Sequence, residues 1–311
     1  MQTITDLTQR QPTPAVLTIG SFDGVHLGHQ TLVRSVVESA RARGVAAVAL
    51  TFEPSPRAVL RPELPLAYLT HLPQKLELLG SLGLDETIVV PFTRELSQVQ
   101  APDFITWLRQ YVPFVEMWEG EGFALGHGRT GNTEVLAHLG EQMGYTLQIA
   151  PLTEIEGEPV SSTRVRQAVA EGEVETAARL LGRPYAVPGT VVHGSKRGRE
   201  LGYPTANLDT PPNQAIPADG VYASWCVRHA TGETLPSLTS VGIRPMFEND
   251  VRLVEVYILD YDADLYDETL TTQFVHYLRP QQRFDGLETF IAQMRQDEAN
   301  ARKLLGVAGR E

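Results

Sequence analysis

Apolar and polar positions follow two different rhythms along the chain. In the first half, short apolar runs alternate with stretches in which apolar residues recur at helical spacing. The apolar runs predict strands at residues 15–19, 45–52, 87–92, 114–118 and 145–151. The helical spacing predicts helices at residues 30–43, 73–82, 102–111 and 133–143. Strands alternating with amphipathic helices favour a parallel sheet covered on both faces, with ligands bound beyond the carboxyl ends of the strands.

The second half is β-rich. Strands are predicted at residues 186–193, 220–228, 253–260 and 269–278. Glycine and proline separate these runs, which is typical of a small antiparallel barrel or sandwich. Helices are predicted at residues 163–170 and 173–181, between the halves, and at 287–305. We expect a first domain at residues 1–183 and a second at 184–311, since 311 residues is an ordinary length for two domains.

Composition narrows the class of protein. The 42% hydrophobic and 21% charged content is ordinary for a globular chain. No apolar run approaches the roughly 20 residues that span a bilayer, and the first residues do not resemble a secretory signal. The net charge of −12 disfavours a nucleic-acid partner. The single cysteine, Cys226, lies in an apolar run and is predicted to be a buried structural thiol, which fits a cytoplasmic protein.

The first candidate site follows the first predicted strand. In the segment SFDGVHLGHQTLV, His26 and His29 flank Gly28 just where a helix begins. A helix N-terminus presents free N–H groups that suit nucleotide phosphates, and a glycine permits close approach. Two imidazoles there can donate hydrogen bonds to departing pyrophosphate. Gly20 and Phe22 are predicted to complete the phosphate-binding loop.

A structural interpretation of the same motif remains open, in which one histidine caps the helix and the other faces solvent. Class I aminoacyl-tRNA synthetases and small-molecule nucleotidylyltransferases share H-x-G-H. The chain has only three lysines and a net negative charge, and both features disfavour a synthetase. In the later segment VSSTRVR, Ser162 and Thr163 can cap a helix, and the guanidinium of Arg166 matches phosphate oxygens. Capping alone is the alternative for this segment.

The second candidate site opens the β-rich half. Gly194, Lys196 and Gly198 belong to a basic, glycine-rich loop able to fold over phosphates. Thr205 and Asn207 of the segment PTAN offer hard oxygen ligands for the Mg²⁺ carried by ATP, although both could simply cap a turn.

An acid interrupts the next apolar strand. Glu255 stands where a structural strand would carry valine, so we expect a buried carboxylate with a raised pKa that accepts a hydroxyl proton. A salt bridge to Arg252 or Arg279 is the structural alternative.

Taken together, these segments resemble the prokaryotic bifunctional riboflavin kinase/FMN adenylyltransferase family. The resemblance extends over residues 15–305 and is carried by ordered blocks: GSFDGVHLGHQ, TFEPSPR, GHGRTGN, VSSTRVR, ARLLGRPY, GYPTANL, PADGVY, VEVYILDYDADLY and LRPQQRF. It implies a Rossmann-like α/β nucleotidylyltransferase domain, followed by a six-stranded antiparallel riboflavin-kinase barrel with a terminal helix. It also implies Mg²⁺ with ATP, the flavins riboflavin, FMN and FAD as substrates and products, and a monomer or weak homo-oligomer without nucleic-acid or membrane partners.

The resemblance assigns roles to matching residues. His26 and His29 would bind ATP phosphates and stabilise adenylyl transfer, with Ser162, Thr163 and Arg166 completing that site. Thr205 and Asn207 would hold Mg-ATP, and Glu255 would deprotonate the ribityl 5′-hydroxyl. The implied flavin contacts are Phe123, Arg129 and Phe247.

This chain departs from the family pattern at three positions. Ser55 stands where the family commonly has His, Gly122 where it has Asp or Asn, and Met246 where it has Thr. Two alternatives to the bifunctional enzyme therefore stay open: a riboflavin kinase with an impaired first domain, and a flavin-sensing protein without turnover. Retained His26, His29 and Arg166 speak against the first alternative. Retained Glu255 speaks against the second, since a sensor needs no base.

Overall fold

The computed structural model describes residues 1–194, 202–244 and 251–308. Its contacts divide the chain into two compact units, Met1–Ser162 and Thr163–Glu311, and each is described by itself. Three of the predicted site residues, Lys196, Gly198 and Phe247, lie outside the described residues, as does Met246.

The first unit alternates strands and helices. Its strands are β1 Gln2–Ile4, β2 Ala15–Ile19, β3 Ala46–Phe52, β4 Glu86–Val90, β5 Phe114–Glu119, β6 Ala124–Leu125, β7 Gly131–Asn132, β8 Thr146–Ile149, β9 Glu154–Ile155 and β10 Glu158–Pro159. Its α-helices are α1 Leu27–Arg43, α2 Pro56–Leu60, α3 Leu72–Ser81, α4 Ala101–Tyr111 and α5 Thr133–Met143, with 3₁₀ turns at Leu7–Gln9, Leu96–Gln98 and His127–Arg129.

Six of these strands form one parallel sheet in the order β1-β4-β3-β2-β5-β8. Strand β2 is buried at every position because apolar clusters cover both faces of the sheet. Helix α1 buries Leu32, Val33, Val36 and Ala40, which recur at helical spacing. The predicted parallel sheet is confirmed. Strand β1, three residues at the sheet edge, is too short to show periodicity.

The second unit begins at the helix α6 Ser162–Glu171 and continues with α7 Val174–Leu181. Its strands are β11 Tyr185–Val192, β12 Ala206–Asp209, β13 Gly220–Arg228, β14 Thr234–Arg244, β15 Val251–Ile258 and β16 Thr269–Arg279, and helix α8 Leu287–Leu305 follows. The six strands close into an antiparallel barrel in the order β11-β12-β15-β14-β13-β16. The predicted six-stranded barrel with a terminal helix is confirmed.

Strand β14 was not predicted from the sequence because two of its buried positions, Ser237 and Thr239, are polar. Ser237 and Thr239 are completely buried, and their hydroxyls hydrogen-bond to Ser224 at 2.8 and 2.7 Å. The chain of hydroxyls continues from Thr239 to Thr272. Hydroxyls that satisfy one another can be buried at little cost, so the expected alternation of apolar and polar residues is absent.

Two further observations concern burial. Cys226 is buried as predicted, and burial raises the pKa of its thiol to about 12. Among the residues with described positions, none of the helices is both long and apolar enough to cross a membrane.

Candidate active sites

The loop between β2 and α1 is held by hydrogen bonds to two other segments of the chain. The Asp23 carboxylate accepts from the N–H groups of Leu69 and Thr70 at 3.0 and 2.9 Å. Gly24 N–H donates to the Thr70 hydroxyl at 3.0 Å, and the Ser162 hydroxyl donates to the Asp23 carbonyl at 2.9 Å. The predicted phosphate-site residue Ser162 is therefore an anchor of the loop. A loop fixed in this way keeps its shape when a ligand arrives.

Glycine at position 20 is explained by Phe22. Phe22 is buried and adopts a φ of 47°, a strained backbone conformation for a bulky residue. A Cβ at Gly20 would lie 2.9 Å from Phe22 Cζ, too close for ordinary contact. The glycine thus lets the phenylalanine ring fold back against the loop.

The two histidines have different roles in the structure. His26 precedes α1, and its Nδ1 accepts a hydrogen bond from His29 N–H at 3.4 Å. The capping alternative therefore holds for His26. A neutral imidazole whose Nδ1 accepts carries its proton on Nε2. The rings of His26 and His29 stack with centroids 3.7 Å apart, and a Cβ at Gly28 would lie only 3.2 Å from His26 Cε1.

His29 does not face solvent as the structural alternative required. It lines a cavity of about 730 Å³. Burial lowers the pKa of His29 well below its ordinary 6.5, and the charges of His26 and Lys75 lower it further. The imidazole is therefore neutral at pH 7, and it can still donate one hydrogen bond. Its buried Nδ1 has no hydrogen-bond partner within the described chain.

The rest of this cavity is mostly apolar. Phenylalanine rings make up much of the wall: Phe22, Phe52, Phe92, Phe104 and Phe123. The predicted residues Gly20, Phe22, Phe123 and Arg129 all line it. Arg129 donates from Nη2 to the Gly122 carbonyl at 2.9 Å. A cavity of this size and lining suits a planar heteroaromatic ligand.

The departures from the family pattern have different settings in this unit. Ser55 is buried, and its hydroxyl caps α2 by accepting from Ala58 N–H at 3.4 Å. Gly122 lines the cavity with φ +73°, and nothing lies within 4 Å of the position of its missing Cβ. Gly122 therefore leaves open space where another residue would place a side chain.

Two residues predicted for the phosphate site belong to the second unit. Thr163 is exposed and Arg166 half-buried, both in the first turns of α6. The first unit ends at Ser162, so the structure of each unit by itself does not relate these residues to His26 and His29.

The barrel holds a second cavity, of about 510 Å³, lined by Gly194, Thr205, Asn207 and Glu255. Strand register brings the polar residues together, since Asn207 lies directly opposite Glu255 in the β12–β15 pair. On the other side of β15, Ser240 lies opposite Glu255. Directly opposed residues of an antiparallel pair place their Cβ atoms about 5 Å apart. The threonine, the amide and the carboxylate thus share one wall of the cavity.

Gly194 packs against the Asn207 amide. A Cβ at position 194 would lie 2.7 Å from Asn207 Cγ. Any side chain at this position would therefore displace Asn207. The close approach explains why residue 194, the first glycine of the basic loop, has no side chain. The explanation does not depend on the loop residues that the structure does not describe.

The expectation that Glu255 is buried was wrong. Its neighbours Val254 and Val256 are buried, but Glu255 is half-buried, because alternate residues of a strand face opposite sides and Glu255 faces the open cavity. Its proposed salt-bridge partners bind elsewhere: Arg252 pairs with Asp219 at 2.8 Å and Arg279 with Asp297 at 2.7 Å.

Sequence reasoning missed an aromatic wall in the barrel cavity. Tyr203 contacts the rings of Tyr257 and Phe290 with centroids 5.3 and 6.2 Å away, and Phe284 contacts Phe290. All four line the cavity. Tyr203 and Phe284 belong to the segments GYPTANL and LRPQQRF, so their place in those blocks was an available signal.

It also missed Glu119, the last residue of β5. Glu119 is wholly buried and lines the first cavity beside His29. The signal that singled out Glu255, an acid in an apolar run, applies equally to Glu119 in FVEMWE.

Comparisons with known proteins agree with this geometry. The FAD synthetase family model matches residues 8–164, and the riboflavin kinase family model matches residues 181–305. The bifunctional riboflavin kinase/FMN adenylyltransferase of Listeria monocytogenes is 36% identical over 92% of this chain and 91% of its own length. The chain belongs to this bifunctional family.

Two other relatives extend the comparison. The bifunctional riboflavin kinase/FMN adenylyltransferase of Pseudomonas fluorescens is 37% identical over 93% of this chain and 92% of its own. A crystal structure described as a macrolide-efflux protein from Streptococcus pneumoniae has a TM-score of 0.88 and 29% identity, covering 96% of this chain and 98% of that one. That structure shares the fold of this family member over nearly its whole length.

Proposed function

We propose that this family member phosphorylates riboflavin to FMN with ATP in the barrel unit and adenylylates FMN to FAD in the α/β unit. The observation that carries the proposal is the presence of two separate cavities, one in each unit. The first is lined by neutral His29 beside a helix N-terminus, and the second by Thr205, Asn207 and Glu255. Each set of groups suits one of the two half-reactions.

In the kinase reaction, Glu255 accepts the proton of the ribityl 5′-hydroxyl. The oxygen attacks the γ-phosphorus of ATP, the bond to the β-phosphate oxygen breaks, and ADP leaves. Glu255 faces the cavity opposite Asn207, which places a carboxylate among hard oxygen donors. Thr205 and Asn207 would hold the Mg²⁺ of Mg-ATP, which supplies charge neutralisation on the phosphates. The aromatic wall formed by Tyr203, Tyr257 and Phe290 offers faces for the flavin ring.

In the adenylyl transfer, a phosphate oxygen of FMN attacks the α-phosphorus of ATP and pyrophosphate leaves. No covalent enzyme intermediate is needed, so positioning and charge stabilisation suffice. Neutral His29 donates a hydrogen bond to the developing charge without repelling other donors, and His26 orders the first turn of α1. The fixed loop from Gly20 to Gly28 offers N–H groups to the phosphates.

The remaining assignments follow the same division. The first phosphate site is completed by Ser162, Thr163 and Arg166. The flavin is contacted by Phe123 and Arg129, and this assignment is supported by the fact that both line the first cavity. Gly194 shapes the second site through Asn207. Lys196, Gly198 and Phe247 stay predictions for phosphate and flavin contacts.

We place the functional boundary at residues 183 and 184. It is supported by the family matches, which end at residue 164 and resume at 181, although α6 and α7 pack with the barrel unit. Small-molecule substrates of this kind support a cytoplasmic enzyme without a nucleic-acid partner, and a monomer or weak homo-oligomer stays a prediction.

Separate assays of the half-reactions test the proposal. Purified protein with Mg-ATP and riboflavin should yield FMN and FAD by chromatography, and protein with Mg-ATP and FMN should yield FAD and pyrophosphate. FMN without FAD in both assays would leave only the kinase. Stoichiometric flavin binding without product would favour a sensor, and omission of Mg²⁺ should abolish both reactions.

A further inference from the structure

Glu119 has an unusual environment for a carboxyl group. It ends β5, which lies between β2 and the edge strand β8 of the parallel sheet, and its side chain is completely buried. One oxygen, Oε1, accepts a hydrogen bond from Ile19 N–H at 2.9 Å. The other, Oε2, has no hydrogen-bond partner in the described part of the chain. Buried polar atoms are almost always satisfied, so an unsatisfied one calls for an explanation.

The position of Glu119 suggests the missing partner. Glu119 is one of the residues that line the first cavity, together with His29 and Phe22, where much of the wall is made of phenylalanine rings. Gly122 lines the same cavity and has no side chain with which to bind a ligand. A mostly apolar pocket with a few placed polar groups is the usual form of a site that recognises a planar heterocycle.

Burial also determines the form of the carboxyl group. Desolvation raises the pKa of Glu119 well above its ordinary value, and the hydrogen bond from Ile19 N–H opposes this only in part. Burial therefore favours the protonated, uncharged form of this carboxyl group, which can donate as well as accept. A neutral acid in an apolar pocket is a hydrogen-bond donor that carries no charge into the site.

We infer that Glu119 is a specificity-determining residue of the adenylyl-transfer site, whose Oε2 hydrogen-bonds a polar edge of the heteroaromatic ring held in the first cavity. The inference rests on the proposed function. Two rings of the reaction share the required chemistry, the adenine of ATP and the isoalloxazine of FMN, because each presents ring nitrogens or carbonyl oxygens at its edge.

Two substitutions at position 119 separate recognition from structure. Glu119→Gln keeps an acceptor for Ile19 N–H and a donor for the ring, so both KM values should stay within about threefold of the parent. Glu119→Leu fills the space but cannot form hydrogen bonds, so the KM for one of the two substrates should rise about tenfold, as expected for one lost buried hydrogen bond. A rise for ATP identifies adenine as the partner, and a rise for FMN identifies isoalloxazine.

A control on the same strand distinguishes a structural role. Glu116 is also buried, but its carboxylate is bound by Ser39, Arg43 and Trp118. Glu116→Gln should lower the melting temperature and leave both KM values unchanged. In every variant, riboflavin phosphorylation serves as a check that the other unit is folded.

The outcomes are distinct. If Glu119→Leu lowers only the melting temperature and leaves both KM values at the parent level, the carboxyl group of Glu119 only accepts the hydrogen bond from Ile19 N–H, and the inference is wrong. If the glutamine variant loses as much affinity as the leucine variant, the donor role is wrong. If the parent protein makes no FAD from FMN, the proposed function fails instead, and direct binding of ATP and FMN to each variant, measured by calorimetry, still tests the contact.

Discussion

The two cavities differ in how deeply their carboxyl groups are buried. In the α/β unit, Glu119 is completely buried and His29 lies against phenylalanine rings at the carboxyl ends of parallel strands. In the barrel, Asn207 and Glu255 are half-buried on one wall of the cavity. Burial favours the uncharged forms of Glu119 and His29 in the first cavity, whereas the second cavity offers oxygen ligands close to solvent. In the proposed function, the groups of the first cavity would act as neutral donors in one transfer, and the oxygen-rich second cavity would serve the other.

This contrast predicts that substitutions in one cavity leave the other half-reaction intact. The largest effect is expected for Glu255→Gln, which removes the proposed general base without changing side-chain size. Riboflavin phosphorylation should fall by about 10²- to 10⁴-fold, the range typical of general-base catalysis, while FMN adenylylation stays at the parent rate. Initial rates of both half-reactions measure this. Exposed Glu288 on α8 offers the control, since Glu288→Gln should change neither rate.

The next effect concerns the first cavity. His29→Ala removes a neutral donor, so FMN adenylylation should fall by about 10²- to 10³-fold with the kinase rate unchanged. His138 on α5 has an exposed side chain, so His138→Ala serves as the matched control. Equal loss of both activities in His29→Ala would contradict the independence of the two sites.

A smaller effect on the kinase rate is expected for Gly194, which contacts Asn207 and so affects the site indirectly. Gly194→Ala pushes the Asn207 amide aside, and misplacement of about 1 Å can cost up to about 100-fold in rate. The kinase rate should fall by about tenfold to 100-fold. Gly286→Ala is the control, because nothing lies within 4 Å of its added Cβ. A kinase rate in Gly194→Ala equal to that of the control would show that Asn207 need not stay in place.

The smallest effect is on stability and depends on pH. The pKa of Glu119 is raised in the folded protein, so folding is favoured below the ordinary value of 4.5 and this contribution is lost as pH rises towards the folded pKa. As pH rises across that window, the free energy of unfolding of Glu119→Gln should therefore increase relative to that of the parent, by up to about 1.4 kcal/mol per pH unit. Urea unfolding between pH 5 and 7 measures it. Glu121→Gln, at an exposed position, is the matched control.

Sequence reasoning recovered most of the fold but only part of each site. Strands β2 and β3 and helix α1 were predictable because burial on both faces, or on one helical stripe, leaves a direct apolar pattern. Strand β14 was not predictable, since its buried Ser237 and Thr239 are polar. Their hydroxyls hydrogen-bond to Ser224, and Thr239 also to Thr272, inside the barrel. The pattern records apolarity, not burial itself.

The same limit applies to the candidate sites. The order of motifs along the chain determined the family, the two-unit architecture and the identity of His26, His29, Thr205, Asn207 and Glu255 as residues of interest. The tertiary structure decided that His26 caps the helix while His29 lines the cavity, that Glu255 is half-buried, and that Glu119 is enclosed. Residue type sets which chemistry is possible, but hydrogen-bond partners and exclusion of water are set by segments distant in the chain, and these decide which group can perform it.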